Sequence, residues 1–155
     1  MHHGLRILAV FGSKIILPNT KEIQNEFGVL NTTNPLKTYT CGLASVVYDV
    51  LNHVVLDAVL TGSKAYEVEV AREQLNCVKQ NDLIIFDRGY CSYRMMPSVT
   101  NTKADFLIRC SKKAFSTARK MFYDDTITDK TVSIKPSKKY HSNYNDKTDP
   151  KKYKS

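Results

Sequence analysis

The stretch Asp82-Leu83-Ile84-Ile85-Phe86-Asp87-Arg88-Gly89-Tyr90 decides how the rest of the chain is read. Leu83 to Phe86 is a short run of large apolar residues, which predicts a strand buried on both faces, as central strands of parallel sheets are. Asp87 stands at the carboxyl end of that strand, where the sheet holds its backbone and its oxygens can be aimed rigidly toward a metal ion. Gly89 permits a tight turn, and the Arg88 guanidinium can grip a phosphate with two parallel hydrogen bonds. A plainer role competes: Asp87 can cap the following turn by accepting from backbone amides. Position alone leaves the two readings even. A bound metal normally takes more than one carboxylate, so the question becomes where a partner lies.

Working outward, Leu5 to Phe11 is an apolar run of strand formers, and Gly12-Ser13 separates it from Lys14-Ile15-Ile16-Leu17 before Pro18. That reads as two strands around a tight turn. Asn19 to Phe27 predicts a short helix, capped by Asn19 or Thr20 and stopped by Gly28, and Asn31 to Lys37 reads as a loop. Leu43 to Val50 and Val54 to Leu60 form a hairpin pattern around Asn52-His53. After a turn at Thr61-Gly62-Ser63, Ala65, Val68, Ala71, Leu75 and Val78 recur at helical spacing, predicting a helix over Lys64 to Lys79. Beyond Tyr90, Cys91 to Val99 reads as partly helical with Pro97 limiting it, and Ala104 to Arg109 as another buried strand. Lys113 to Phe122 predicts a helix and Thr131 to Ile134 the start of one more strand. The order is α/β: a mixed sheet of antiparallel hairpin plus parallel crossovers, with helices on its faces. Ligands gather beyond the carboxyl ends of the central strands in such sheets, here after Val10 and after Phe86.

The 155 residues, 42% hydrophobic and 25% charged, suit one globular domain with a real core. Charge is unevenly spread. Of 23 Lys and Arg against 15 acids, for a net +8, residues 135–155 hold seven of the bases and two of the acids. That segment has no Ala, Val, Ile, Leu, Met or Phe, so it cannot repay its ordering entropy. The division expected is a folded unit over 1–134 and a basic, disordered tail over 135–155. Tyr140, Tyr144 and Tyr153 interleave with the tail lysines, a recipe for loose nucleic-acid binding, but a solvated remnant is the simpler reading. Deleting residues 135–155 should therefore leave the urea midpoint of unfolding unchanged, and a large drop would contradict this.

No apolar run approaches the ~20 residues that span a bilayer, and Met1 to Arg6 lacks the apolar core of a secretory signal. Cys41, Cys77, Cys91 and Cys110 show neither a Cys-x-x-Cys nor a Cys/His ligand spacing, which predicts a reduced, cytoplasmic protein without membrane association. Cys77 and Cys110 read as core residues, and His2, His3, His53 and His141 do not cluster. The excess positive charge points to an anionic partner, nucleic acid first. Arg109, Lys112, Lys113, Arg119 and Lys120 read either as a DNA-facing surface or as a solvated helix face.

The segment Leu8 to Thr20, an apolar strand followed by Gly-Ser and by Lys-Ile-Ile-Leu-Pro-Asn-Thr, resembles the first catalytic block of DDE-type insertion-sequence transposases. The resemblance continues through Val47-Tyr48-Asp49-Val50-Leu51-Asn52, Leu56-Asp57-Ala58 and the acidic helix around Glu67 to Glu73. It is sharpest at Asp82 to Tyr90, followed by Ala104 to Arg109, and it covers residues 5 to 136. It implies a ribonuclease H-like core in which two Asp and one Glu hold two divalent ions, usually Mg²⁺. Those ions activate water or a DNA 3′-hydroxyl for in-line attack on a phosphodiester. Asp87 matches the second catalytic Asp, a metal ligand. Arg88 and Tyr90 match neighbouring positions implied to contact the DNA backbone or a displaced base.

Three departures stand against these matches. Phe11 occupies the place of the first Asp, immediately before Gly12-Ser13. The third acid belongs on a later helix, in a Tyr-x-x-Arg-x-x-x-Glu-x-x-x-x-x-x-Lys pattern this sequence does not contain. The family's N-terminal region for binding DNA ends has no counterpart in the ten residues before Phe11. Asp49 and Asp57 lie in the hairpin beside the first strand, but outward-facing strand positions are the favoured reading for both. The expectation is a ribonuclease H-like domain over 1–134, incomplete at its C-terminal end: a fragment of a DDE transposase that has lost catalysis. The alternative is a non-catalytic DNA-binding or interaction protein that interferes with full-length transposase.

Overall fold

A computed structural model describes residues 5–31 and 38–134. The expected tail, and the expected loop beyond Asn31, lie outside the described residues. Strand β1 (Arg6–Leu17) runs without a break through Gly12-Ser13, so the expected pair of strands is one strand. A Cβ built on Gly12 would stand 2.6 Å from Glu67 Oε1 and 2.8 Å from Glu67 Cγ. Glycine is there to let that side chain lie on the strand, not to turn the chain. Along its length β1 pairs antiparallel with β3 (Thr38–Asp49), from Leu8 opposite Asp49 to Leu17 opposite Thr40.

Between them lie α1 (Lys21–Phe27) and β2 (Val29–Asn31). Thr20 caps α1 by accepting from Ile23 N at 3.4 Å, and Gly28 ends it at φ 81°. β4 (Val54–Gly62) closes the expected hairpin, with His53 at φ 56° in its turn. Helix α2 (Glu67–Glu73) then passes into a tightened 3-10 turn over Gln74–Cys77, shorter than the span from Lys64 to Lys79. A turn closed by Ala65 N donating to Gly62 O at 2.9 Å takes up the start. At the end, buried Gln74 accepts from Ser45 Oγ at 2.6 Å and donates to Ser45 O at 3.2 Å, tying that turn to the sheet.

β5 (Asp82–Phe86) lies parallel to β1, and β6 (Asp105–Ile108) parallel to β5. The strand order is β2-β3-β1-β5-β6, with β4 also paired to β3. Helices α3 (Met95–Thr100) and α4 (Ser116–Phe122) follow β5 and β6, while Thr131 to Ile134 forms no strand. At the opening ends of the two parallel strands, Arg6 donates to both oxygens of Asp82, at 2.9 and 2.6 Å, and Asp82 also accepts from Lys79 N at 2.7 Å.

The core lies on one side of the sheet. Leu8, Val10, Val47, Ile84 and Phe86 pack there against Val68, Ala71 and Leu75 and against Met95 and Val99 of α3. Each such side chain contributes roughly 1.5–3 kcal/mol of burial. On the other side Phe11, Ile85 and Leu107 remain 50%, 37% and 60% exposed. The double burial expected of Leu83 to Phe86 and of Ala104 to Arg109 is thus burial of alternate residues. Among the described residues, α2 and α3 cover the face of β1 and β5 that carries the core. No helix among the described residues is long and apolar enough to cross a membrane.

Candidate active site

The backbone stays extended past β5 through Asp87 (φ −72°, ψ 169°). Strand alternation therefore carries the face of Ile85 on to Asp87. The register ends with Val10 opposite Phe86, so Phe11 on β1 and Asp87, just past β5, are the residues that follow this last pair. Asp87 is exposed and its Oδ1 accepts from Arg88 N at 2.6 Å, so the capping role is realised on the 3-10 turn Arg88–Tyr90. Arg88 is exposed beside it.

Tyr90 is placed differently from its expected contact with DNA. It is 2% exposed, its ring lies 5.5 Å from that of Phe86, and its hydroxyl donates to Glu67 Oε1 at 2.5 Å. Burial above all, then the bond to Glu67 and the charges of Glu67 and Asp87, push its phenol far up, so it stays a donor. Tyr90 thus anchors the turn that carries Asp87 and Arg88, through a carboxylate resting on Gly12. Tyr90→Phe should cost about 1.5–3 kcal/mol, the usual worth of a hydrogen bond to a charged group. Urea unfolding of the two proteins measures it, and an unchanged midpoint would contradict the anchoring role.

Glu69, two residues further along α2 and so on its opposite side, is paired with Arg72 at 2.6 Å and with Arg94, and Arg72 Nε donates to Ser98 Oγ at 2.9 Å. These bonds fasten α2 to α3. Glu67 and Glu69 read in the sequence only as part of an acidic helix. Glu69-x-x-Arg72 carried a visible helical pairing signal, whereas nothing local foretold Glu67 on Gly12.

Neither hairpin carboxylate substitutes at the site. Asp49 faces Leu8, three register positions from Phe11, which is about 10 Å along a strand. It is buried rather than outward-facing, and it closes the hairpin turn by accepting from Leu51 N, Asn52 N and Asn52 Nδ2 at 3.2, 3.0 and 2.8 Å. Those bonds, the Asn52 side chain's first, hold its carboxyl below the ordinary range. Asp57 pairs with Val47, on the far side of β3 from β1.

The donor set does not fit a two-metal centre. Among the described residues no three His, Cys, Asp or Glu side chains lie together as ligands, and the residue that follows Val10 beside the end of β5 is Phe11. Part of the basic run is engaged locally: Lys112 donates to Tyr123 Oη at 3.2 Å and sits 4.8 Å over the Phe122 ring. Arg109, Lys113, Arg119 and Lys120 are exposed.

The antiparallel β1, β3 and β4, extended by parallel β5 and β6 on the other side of β1, make a ribonuclease H-like sheet. The piggyBac transposase of a synaptic complex with hairpin DNA shares this fold, with a TM-score of 0.53 at 8% identity, over 78% of this chain and 26% of that one. A Mos1 transposase in a paired-end complex with the left transposon end aligns with a TM-score of 0.47 at 10% identity, over 76% and 42%. Residues 25–154 match the Transposase DDE domain family, and the chain belongs to that family. The matched region begins after Phe11. The putative transposase InsZ of Escherichia coli (strain K12) is 25% identical over 91 residues, 58% of this chain and 30% of that protein. The chain thus spans under a third of that relative's length.

Proposed function

We propose that this chain serves DNA transposition as a DNA-binding part of a DDE transposase domain that does not itself cut DNA. The observation that carries this reading is Phe11, half-exposed and abreast of Asp87 at the strand ends. A phenyl ring has no lone pair for a divalent ion and disfavours its hydration shell. One carboxylate beside it is a weak ligand set. Asp87 retains the cap of its turn, and Arg88 retains the position and exposure to bind a phosphate bidentately. Arg109, which donates its N–H to Phe86 O at 3.3 Å, brings a second cation to the same strand ends. Family membership and the hairpin-DNA complex of the piggyBac transposase support DNA as the partner.

Anisotropy of a labelled duplex titrated with the protein tests the binding. Affinity should fall linearly on a log–log plot against salt, by about 0.9 per phosphate neutralised. Arg88→Ala should weaken binding across sequences and flatten that slope by about one contact. Binding that ignores both salt and Arg88 would overturn the reading.

A further inference from the structure

Two thiols meet beside this site. Cys91 directly follows the Arg88–Tyr90 turn, and Cys110 lies two residues beyond β6. Their Sγ atoms are 3.5 Å apart, with the Cys91 thiol donating to Cys110, and both are free cysteines. Cys110, read from the sequence as a core residue, is exposed, while Cys91 is partly buried. The pairing of β5 with β6, continued by Arg109 N donating to Phe86 O, is what brings the two segments together. Closing the gap to the ~2.05 Å of a disulfide needs a shift of only about 1.5 Å.

We propose that Cys91 and Cys110 form a reversible disulfide, closed by a peroxide and reopened by a thiol reductant, that ties the segment after Asp87 to the end of β6. The exposed Cys110 sulfur meets the oxidant. As a thiolate it attacks one oxygen of hydrogen peroxide, the O–O bond breaks, and Cys110 becomes a sulfenic acid while hydroxide leaves. The Cys91 thiol then forms the S–S bond. Its proton goes to the departing sulfenic hydroxyl, which leaves as water. Both sulfurs are oxidised by one electron each, and one peroxide is reduced to two waters after the hydroxide takes up the Cys110 proton. Burial, and then contact with Cys110, pushes the Cys91 thiol up to about 12, so it stays protonated until that step. Two molecules of a small thiol reverse the bond and leave as their own disulfide. Closure limits how far the Arg88 turn can move from β6. The proposal stands on this thiol pair and does not rest on DNA binding.

The test treats the reduced full chain with about one equivalent of hydrogen peroxide and counts thiols after denaturation. The count should fall from four to two. Trypsin should then release residues 89–94 joined to residues 110–112, separable by a thiol reductant. Cys110→Ser should keep its remaining thiols under the same treatment, and Cys91→Ser should stop at a sulfenic acid on Cys110 that dimedone captures. A link through Cys41 or Cys77, a link between two chains, or an unchanged thiol count with the wild-type protein would each overturn the proposal.

Discussion

Asp82→Ala should lower the free energy of unfolding by about 3 kcal/mol, the low end of the range for breaking a buried ion pair. Asp82 has a side chain only 4% exposed, and three bonds converge on it, two from Arg6 and one from the Lys79 amide. Removing the carboxylate leaves the Arg6 guanidinium with its bond to Cys77 O at 3.2 Å and little else to balance its charge. Arg6 keeps 21% exposure and can turn partly to water, which is why the low end applies. For a domain whose whole stability is typically about 5–15 kcal/mol, the loss is large. It falls on the junction that sets β1 against β5, because Arg6 and Asp82 are register partners. Urea unfolding decides the matter: a loss below about 1 kcal/mol would mean the pair behaves as a surface ion pair.

Phe11→Asp should create a divalent-ion site where the wild-type chain has none of comparable affinity. The substitution removes a ring that is already half-exposed, so the core on the opposite face is untouched. It places a second carboxylate beside Asp87 on the neighbouring strand, and strands sit about 4.8 Å apart, close enough for both to bind one ion. Without metal the two like charges repel and a bound cation relieves that repulsion, so binding should weaken in acid, where carboxylates are protonated. Titration with Mn²⁺, followed by water proton relaxation, should give a dissociation constant on the order of 10⁻³ M, as for sparsely liganded sites. Adding Asp87→Ala should abolish it. Metal binding that appears equally in the wild type, or survives the loss of Asp87, would show that the two positions do not form one site.

The element order was legible in the sequence because runs of β-branched and apolar residues, separated by Gly, Asn and Asp, mark strands and turns locally. Leu83 to Phe86 and the hairpin at Asn52-His53 were read in this way. The misread features all depend on residues far away in sequence. Gly12-Ser13 has the composition of a turn, yet the strand runs through it and the glycine leaves room for the Glu67 side chain of α2. Tyr90 enters the reading only through the family resemblance, and only the fold brings Phe86 and Glu67 against it. The helix over Lys64 to Lys79 was overestimated because periodicity continues into a 3-10 turn whose shape is set by Gln74 on Ser45. Ile85 and Leu107 looked like doubly buried strand residues because an apolar run does not reveal which faces receive cover. At the site, the Asp87 cap was readable from its position after a strand, and Phe11 in the place of an acid only through the family resemblance. The burial of Asp49 and the contact between Cys91 and Cys110 were not, since each needs two segments brought together by pairing.

The most direct test of a DNA-binding domain without cleavage is incubation of the purified chain with supercoiled plasmid and Mg²⁺ or Mn²⁺, read on a gel. The wild-type chain should leave the plasmid supercoiled, as Asp87→Ala does, while still binding duplex in a salt-dependent way. Metal-dependent nicking by the wild type that Asp87→Ala abolishes would contradict it, and would mean that Asp87 finds the ligands it needs despite Phe11.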